Sequence, residues 1–204
     1  MSAFLADCDA LNFTLVHLNL HNEVEALLNH CGGLIVTLDR VYRKEAQHGL
    51  RGSLDSLIKA RLCEIVQHPS ERALEKRQLK VLQQIDALAR QRFRVTSDND
   101  RGLLVEATLR GAPLFTEDGP LRKLAAERDH PTFDTLDVVA LLHELQIVDD
   151  ARRSDLLTAV AARMRDALRQ NGHNADAAGC EALLRTRGGV RKRICPSDAA
   201  EASG

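Results

Sequence analysis

The chain has 204 residues, of which 44% are hydrophobic, enough to bury a core for one domain of roughly 150 residues with an appendage. Its 28 basic and 29 acidic residues leave no bulk field to attract a polyanion, so any such binding must rest on local patches. Aromatics make up 3% and there is no Trp, which argues against base-stacking platforms, and no apolar run reaches the roughly 20 residues of a membrane span. Five cysteines lie far apart and are odd in number, which points to reduced thiols in a cytoplasm. The first ten residues lack the basic start of a signal peptide.

In chain order, residues 3–6 form a short apolar run that stops at Asp7-Cys8-Asp9, reading as a buried strand whose end presents an acid. Residues 10–30 carry apolar residues at helical spacing, with a break near His21-Asn22 and a stop at Cys31-Gly32-Gly33. A second buried strand spans 34–37, and Thr37 is expected to cap a helix on which Val41 and Glu45 lie one turn apart. After a break at 49–52, residues 53–66 and 70–92 read as two amphipathic helices, an αα-hairpin over 53–92. Residues 93–96 suggest a short strand.

Ser97 with Asp100 three residues on resembles a capping box, opening a helix that stops at Gly111. Asp98 falls in the same first turn, where the helix dipole favours an acid. Residues 113–115 lead as a strand into Thr116-Glu117-Asp118 and another helix. A last strand is expected at 131–133, then helices over 135–145 and 149–169. The domain is drawn over 1–170, and 171–204 is expected to be a partly disordered tail holding a basic stretch at 185–193. Short apolar strands separated by helices define an α/β fold with a parallel sheet, in which ligands bind beyond the carboxyl ends of the strands.

Acids gather at those ends: Asp7 and Asp9, then Glu45, Asp98 or Asp100, and Asp118. Clustered carboxylates repel one another and lose hydration, which a fold tolerates when a cation compensates. Oxygen donors alone suit Mg²⁺ or Mn²⁺. Phosphodiester hydrolysis is the chemistry such a site performs best. Each acid also has a structural account as a helix cap or a solvated helix acid, and Asp7 is the one that capping explains least.

The ordered set resembles the PIN-domain nucleases, and is most similar to the toxin ribonucleases of bacterial toxin–antitoxin pairs. The resemblance rests on Asp7-Cys8-Asp9 after the first strand, Glu45 in V-Y-R-K-E-A, and Asp100 with Ala107 in D-R-G-L-L-V-E-A. It continues through Thr116-Glu117-Asp118 before L-R-K-L-A and the pattern of residues 135–157, covering about residues 1–168. It implies a three-layer fold in which Asp7, Glu45, Asp100 and Asp118 bind Mg²⁺ or Mn²⁺ for endoribonuclease cleavage, with Asp9, Thr116 and Asp98 supporting. Arg43, Lys44, Arg101 and Arg122 are the candidates for holding RNA, though each also reads as part of a solvated helix face. A homodimer and an antitoxin partner belong to the same expectation. An acid stands at Asp9 where the family often has Asn, and the basic tail has no family counterpart.

Two other readings stand beside it. One is a catalytically silent PIN-like module that works by binding a partner. The other is a haloacid-dehalogenase-like phosphatase using Asp7-Cys8-Asp9 and Asp149-Asp150, which lacks a clear strand before the second pair and a Lys for phosphate. His17 and His21 are spaced to share a metal but have no third ligand in view, and His143-Glu144 lacks the second His of H-E-x-x-H.

Overall fold

In the computed structural model, which describes residues 2–93 and 96–187, five strands form one all-parallel sheet. They are β1 (Ser2–Ala6), β2 (Gly33–Leu38), β3 (Cys63–Val66), β4 (Leu114–Phe115) and β5 (Thr132–Phe133). The order is β3-β2-β1-β4-β5. Every β1 residue from Ser2 to Leu5 pairs with β2, while Leu5 and Ala6 pair with β4. The winding direction therefore reverses between β1 and β4, which puts the ligand-binding crevice of such sheets outside their carboxyl ends.

Alternation along the strands divides the core into two layers. Phe4 and Ala6 of β1, Ile35, Phe115 and Phe133 face one side, while Leu5, Val36, Leu38 and Leu114 face the other. The first side is covered by α1 (Cys8–Leu11), a π-helical turn at Asn12–His17, α2 (His21–His30) and α3 (His48–Lys59). Also on it are α7 (Thr135–Glu144), α8 (Asp150–Arg163), α9 (Arg165–Gln170) and α10 (Ala177–Arg187). On the second side lie α4 (Lys76–Arg92), α5 (Asp98–Arg110) and α6 (Gly119–Ala126). This is the three-layer α/β arrangement expected from the sequence. Among the described residues no helix is long and apolar enough to cross a membrane.

Several local readings hold. Strand β1 ends at Asp7, the helix after Ser97 carries both bonds of its capping box, and Gly111 stops it in the left-handed region at φ 62°. The main correction concerns residues 53–92. There is no αα-hairpin: residues 63–66 are the edge strand β3, paired with Ile35 to Leu38 of β2. The helix before it starts at His48 and runs through Gly49 and Gly52, held by buried Leu50, Leu54 and Leu57. A four-residue segment has too little period to separate strand from helix, and Ile65 and Val66 favour the strand.

Strand β2 extends through Thr37 to Leu38, so Thr37 is not a cap; its hydroxyl donates to the Ala6 carbonyl at 3.1 Å. Residues 93–96 lie partly outside the described residues, and their described ends close a turn in which Thr96 N–H donates to the Phe93 carbonyl at 3.0 Å. Residues 177–187, expected in the tail, form α10 and pack into the first core layer through Cys180, Leu183 and Leu184. Of the basic stretch 185–193, residues 188–193 lie outside the described residues.

At the start of α5, the buried His68 ring lies over Gly102. A Cβ there would stand 2.2 Å from His68 Nε2, which itself meets the Asp98 carbonyl at 3.1 Å. Gly102→Ala should destabilise the chain by about 1–3 kcal/mol, as overpacking does, despite its better helix propensity. Urea unfolding checks this, and a variant as stable as the parent would refute the close contact.

Candidate active site

Four elements bring the acids to the crevice between β1 and β4. Asp7 follows β1 directly, and its N–H donates to the Phe115 carbonyl at 3.1 Å, which pins it beside β4. Its backbone is extended, at φ −80° and ψ 165°, and its Oδ1 accepts the Ala10 amide at 2.6 Å. Asp7 is therefore the N-cap of α1, although it is the acid for which the sequence made that role least evident. Among the described residues no group makes a well-formed hydrogen bond to its buried Oδ2, although the Thr116 hydroxyl is close enough to the carboxylate to favour its charged form.

The side chain is only 4% exposed, and its pKa rises from the ordinary 3.8 to about 7. Burial is the main cause; the Thr116 hydroxyl and the Ala10 amide oppose it, and the charges of Asp100 and Asp9 add to it.

Asp118 follows β4 and caps α6, with Oδ1 accepting the Leu121 amide at 2.5 Å. Its pKa is also raised, first by burial, against the pull of the Leu121 amide, and further by Asp100 and Asp9. Thr116 is fully buried, and its hydroxyl accepts the Asp118 amide at 3.0 Å. Asp100 Oδ2 accepts the Ser97 amide at 2.8 Å. Asp9 is exposed in the first turn of α1.

Glu45 ends a π-helical turn at Val41–Glu45, closed by the Ala46 amide donating to the Val41 carbonyl at 2.8 Å. Single π turns are frequent at functional sites. Its carboxylate accepts from Asn99 Nδ2, which ties it to the first turn of α5. Its field also reaches α1: burial pushes the Cys8 thiol up to about 12, with Glu45, Asp9 and Asp7 adding to the rise.

Asp7, Asp9, Asp100 and Asp118 thus share one electrostatic field, and Glu45 joins it through Cys8 and Asn99. Among the described residues no three His, Cys, Asp or Glu side chains form a group that could hold a metal ion as they stand. Asp7, Asp100 and Asp118 each turn one oxygen toward a backbone amide at the start of a helix, which leaves the other oxygen of each carboxylate outside those capping bonds. The donor chemistry nonetheless fits a hard cation: all donors are oxygens, their charges repel, and one buried carboxylate oxygen has no well-formed hydrogen bond among the described residues.

Other expected residues lie elsewhere. Asp98 pairs with Arg40 and with Arg101 Nη2 at 3.3 Å. Arg101 also holds Asp86 at 3.1 Å and the Thr96 carbonyl at 2.8 Å. Arg122 is paired with buried Asp134 at 2.6 Å. Arg101 and Arg122 therefore already carry internal partners, whereas Arg43 and Lys44 are exposed beside Glu45. Asp149 caps α8, and Asp150, the first residue of that helix, meets His143 of α7 at 2.8 Å, so the pair follows a helix and not a strand.

Two residues escaped the sequence reading. Asn99 had no signal beyond its place between two acids. Asp134 had one, since D-x-x-D after the last strand is a capping box, and both of its bonds form. No known protein-family model matches the chain, and no curated protein matches it.

Forcing buried Asp7 to ionise costs stability. Below pH 3.8 it is protonated both folded and unfolded; between there and about 7 only the unfolded chain loses the proton, so stability falls as pH rises and then levels off. Asp7→Asn keeps an effective cap and removes this cost, so the metal-free variant should gain on the parent by up to about 4 kcal/mol between acid and mildly alkaline pH. Parallel denaturant melts across pH test it; a constant difference would mean that Asp7 titrates normally.

Proposed function

We propose that this chain is a PIN-like, metal-dependent endoribonuclease acting in the cytoplasm. The observation that carries the proposal is the Asp7 carboxylate, buried at the β1/β4 crevice among like charges, with no well-formed hydrogen bond to Oδ2 among the described residues. Such an arrangement is costly for the ionised carboxylate unless a proton or a cation joins it. Asp7, Glu45, Asp100 and Asp118 would hold Mg²⁺ or Mn²⁺, with Asp9 at the rim. The ion supplies Lewis-acid chemistry suited to phosphodiester hydrolysis.

The chain's own part is positioning. Helix caps aim Asp7, Asp100 and Asp118, Asn99 holds Glu45, and Thr116 steadies the Asp118 turn. At neutral pH Asp7 still carries a proton on a large share of molecules, and ion binding would release it. Exposed Arg43 and Lys44 are the cations that would meet phosphates of an RNA strand. A homodimer and an antitoxin partner belong to the same proposal.

A second reading is a silent PIN-like module that binds a partner. The capping bonds favour it, because they give Asp7, Asp100 and Asp118 structural work that needs no ion.

Two measurements separate these readings. Purified protein should cut single-stranded RNA with Mn²⁺ or Mg²⁺, and Asp7→Asn should lower the rate by at least about a hundredfold while the fold persists. Undiminished cutting by Asp7→Asn would reject the site. In calorimetry, Mn²⁺ affinity should rise about tenfold per pH unit up to about pH 7 and then flatten, as expected for loss of one proton from Asp7. A chain that neither binds Mn²⁺ nor cuts RNA is the silent module.

A further inference from the structure

Away from the acid crevice, Asp134 is a buried charge held by two guanidiniums and a backbone amide. It follows β5 directly and is 0% exposed. Its Oδ2 accepts Arg122 Nη1 at 2.6 Å, and its Oδ1 accepts Arg187 Nη1 at 2.9 Å. The same Arg187 nitrogen stands 3.3 Å from Asp137 Oδ2. Burial alone would raise the Asp134 pKa, but the Arg187 and Arg122 guanidiniums and the Asp137 amide hold it below its ordinary value.

The partners of this cluster bracket Asp118. Arg122 is one helical turn after it, and the Arg122 amide donates to the Asp118 carbonyl at 3.0 Å. Glu117 immediately precedes it, and accepts the amide of Thr135, the residue next to Asp134, at 2.7 Å. The turn that presents Asp118 is thus fastened on both sides to the start of α7. Asp134 and Asp137 are acids with exposures of 0% and 2% that need compensating charge, and α10 supplies it through Arg187.

We propose that Asp134 is a positioning residue for Asp118 and that Arg187 completes it, so that docking of α10 sets the geometry of the candidate site. The proposal rests on the reading of Asp118 as a site carboxylate. Carboxylates that bind metals are held by partners behind them, and loss of such a partner typically costs 10–100-fold in metal affinity. Here the supporting shell draws its last charge from the C-terminal helix. Removing Arg187 leaves Arg122, among the described residues, as the one guanidinium bonded to the Asp134 carboxylate. Arg122 is then pulled toward Asp134, and α6 and its cap shift with it.

The full chain carrying Arg187→Met is compared with wild type and with Arg187→Lys, which keeps the charge. Amide hydrogen exchange is followed at Leu121, whose N–H is held by Asp118 Oδ1, and at Ile35, whose N–H is bonded within the sheet core to the Leu62 carbonyl. Mn²⁺ affinity is measured by calorimetry.

In Arg187→Met, Leu121 should exchange about tenfold faster with Ile35 unchanged, Mn²⁺ should bind about tenfold more weakly, and Arg187→Lys should recover part of both. Unchanged Leu121 exchange overturns the proposal. So does equal acceleration at Ile35, which would make Arg187 a general stabiliser. If wild-type protein binds no Mn²⁺, the site reading fails, and Leu121 exchange alone supports or overturns the brace on the Asp118 turn.

Discussion

Each strand of a parallel sheet hands the chain to a crossover, and the helices in those crossovers begin with amides that need acceptors. At the carboxyl edge of this sheet, aspartates meet that need. Asp7 after β1, Asp118 after β4 and Asp134 after β5 are all N-caps, and α5 starts with the Ser97–Asp100 box. The positive ends of the helices make each acid locally favourable. Assembled by the fold order, Asp7, Asp100 and Asp118 repel, and that repulsion adds to the larger effect of burial, which raises the pKa of Asp7 and Asp118. Repeated use of aspartate caps at one edge is thus what gathers three of the acids there.

Ion pairs around the start of α5 fix how the elements of that edge sit together. Arg40, just after β2, binds both Glu71 and Asp98. Asn99 meanwhile holds Glu45. The turn bearing Glu45 and the helix bearing Asp100 are joined at two places. Exposed pairs of this kind add little stability each. Their contribution is to the relative placement of the two carboxylates, with His68 and Gly102 in close contact beneath.

How much the sequence disclosed depends on how local each signal is. Strand β1, the Ser97–Asp100 box and the Gly111 stop are written within a few residues, and they form as read. Strand β3 was hidden because residues 63–66 are too few to show a period, and because Gly49 and Gly52 imitate a break that buried leucines override. Asp9 competes with Asp7 for the capping role in the sequence, since either spacing permits a cap and only tertiary packing chooses. The acids of the crevice were legible in order and element. The partners of Arg101 and Arg122 were not, because Asp86 and Asp134 reach them only through the fold. Residues 177–187, poor in pattern, become ordered by Arg187 meeting buried acids and by three buried side chains.

The π turn at Val41–Glu45 makes chain length itself a determinant of this edge. Its closing bond spans five residues, one more than an α-turn. A chain one residue shorter at that point would close an ordinary turn, rotating the downstream residues by about 100° about the local axis. Glu45 would leave Asn99 without any change in its own identity. Drift at this site therefore has a route through insertion and deletion as well as substitution. Any alignment of related chains that treats residues 41–45 as regular helix would pair the wrong side chain with Glu45.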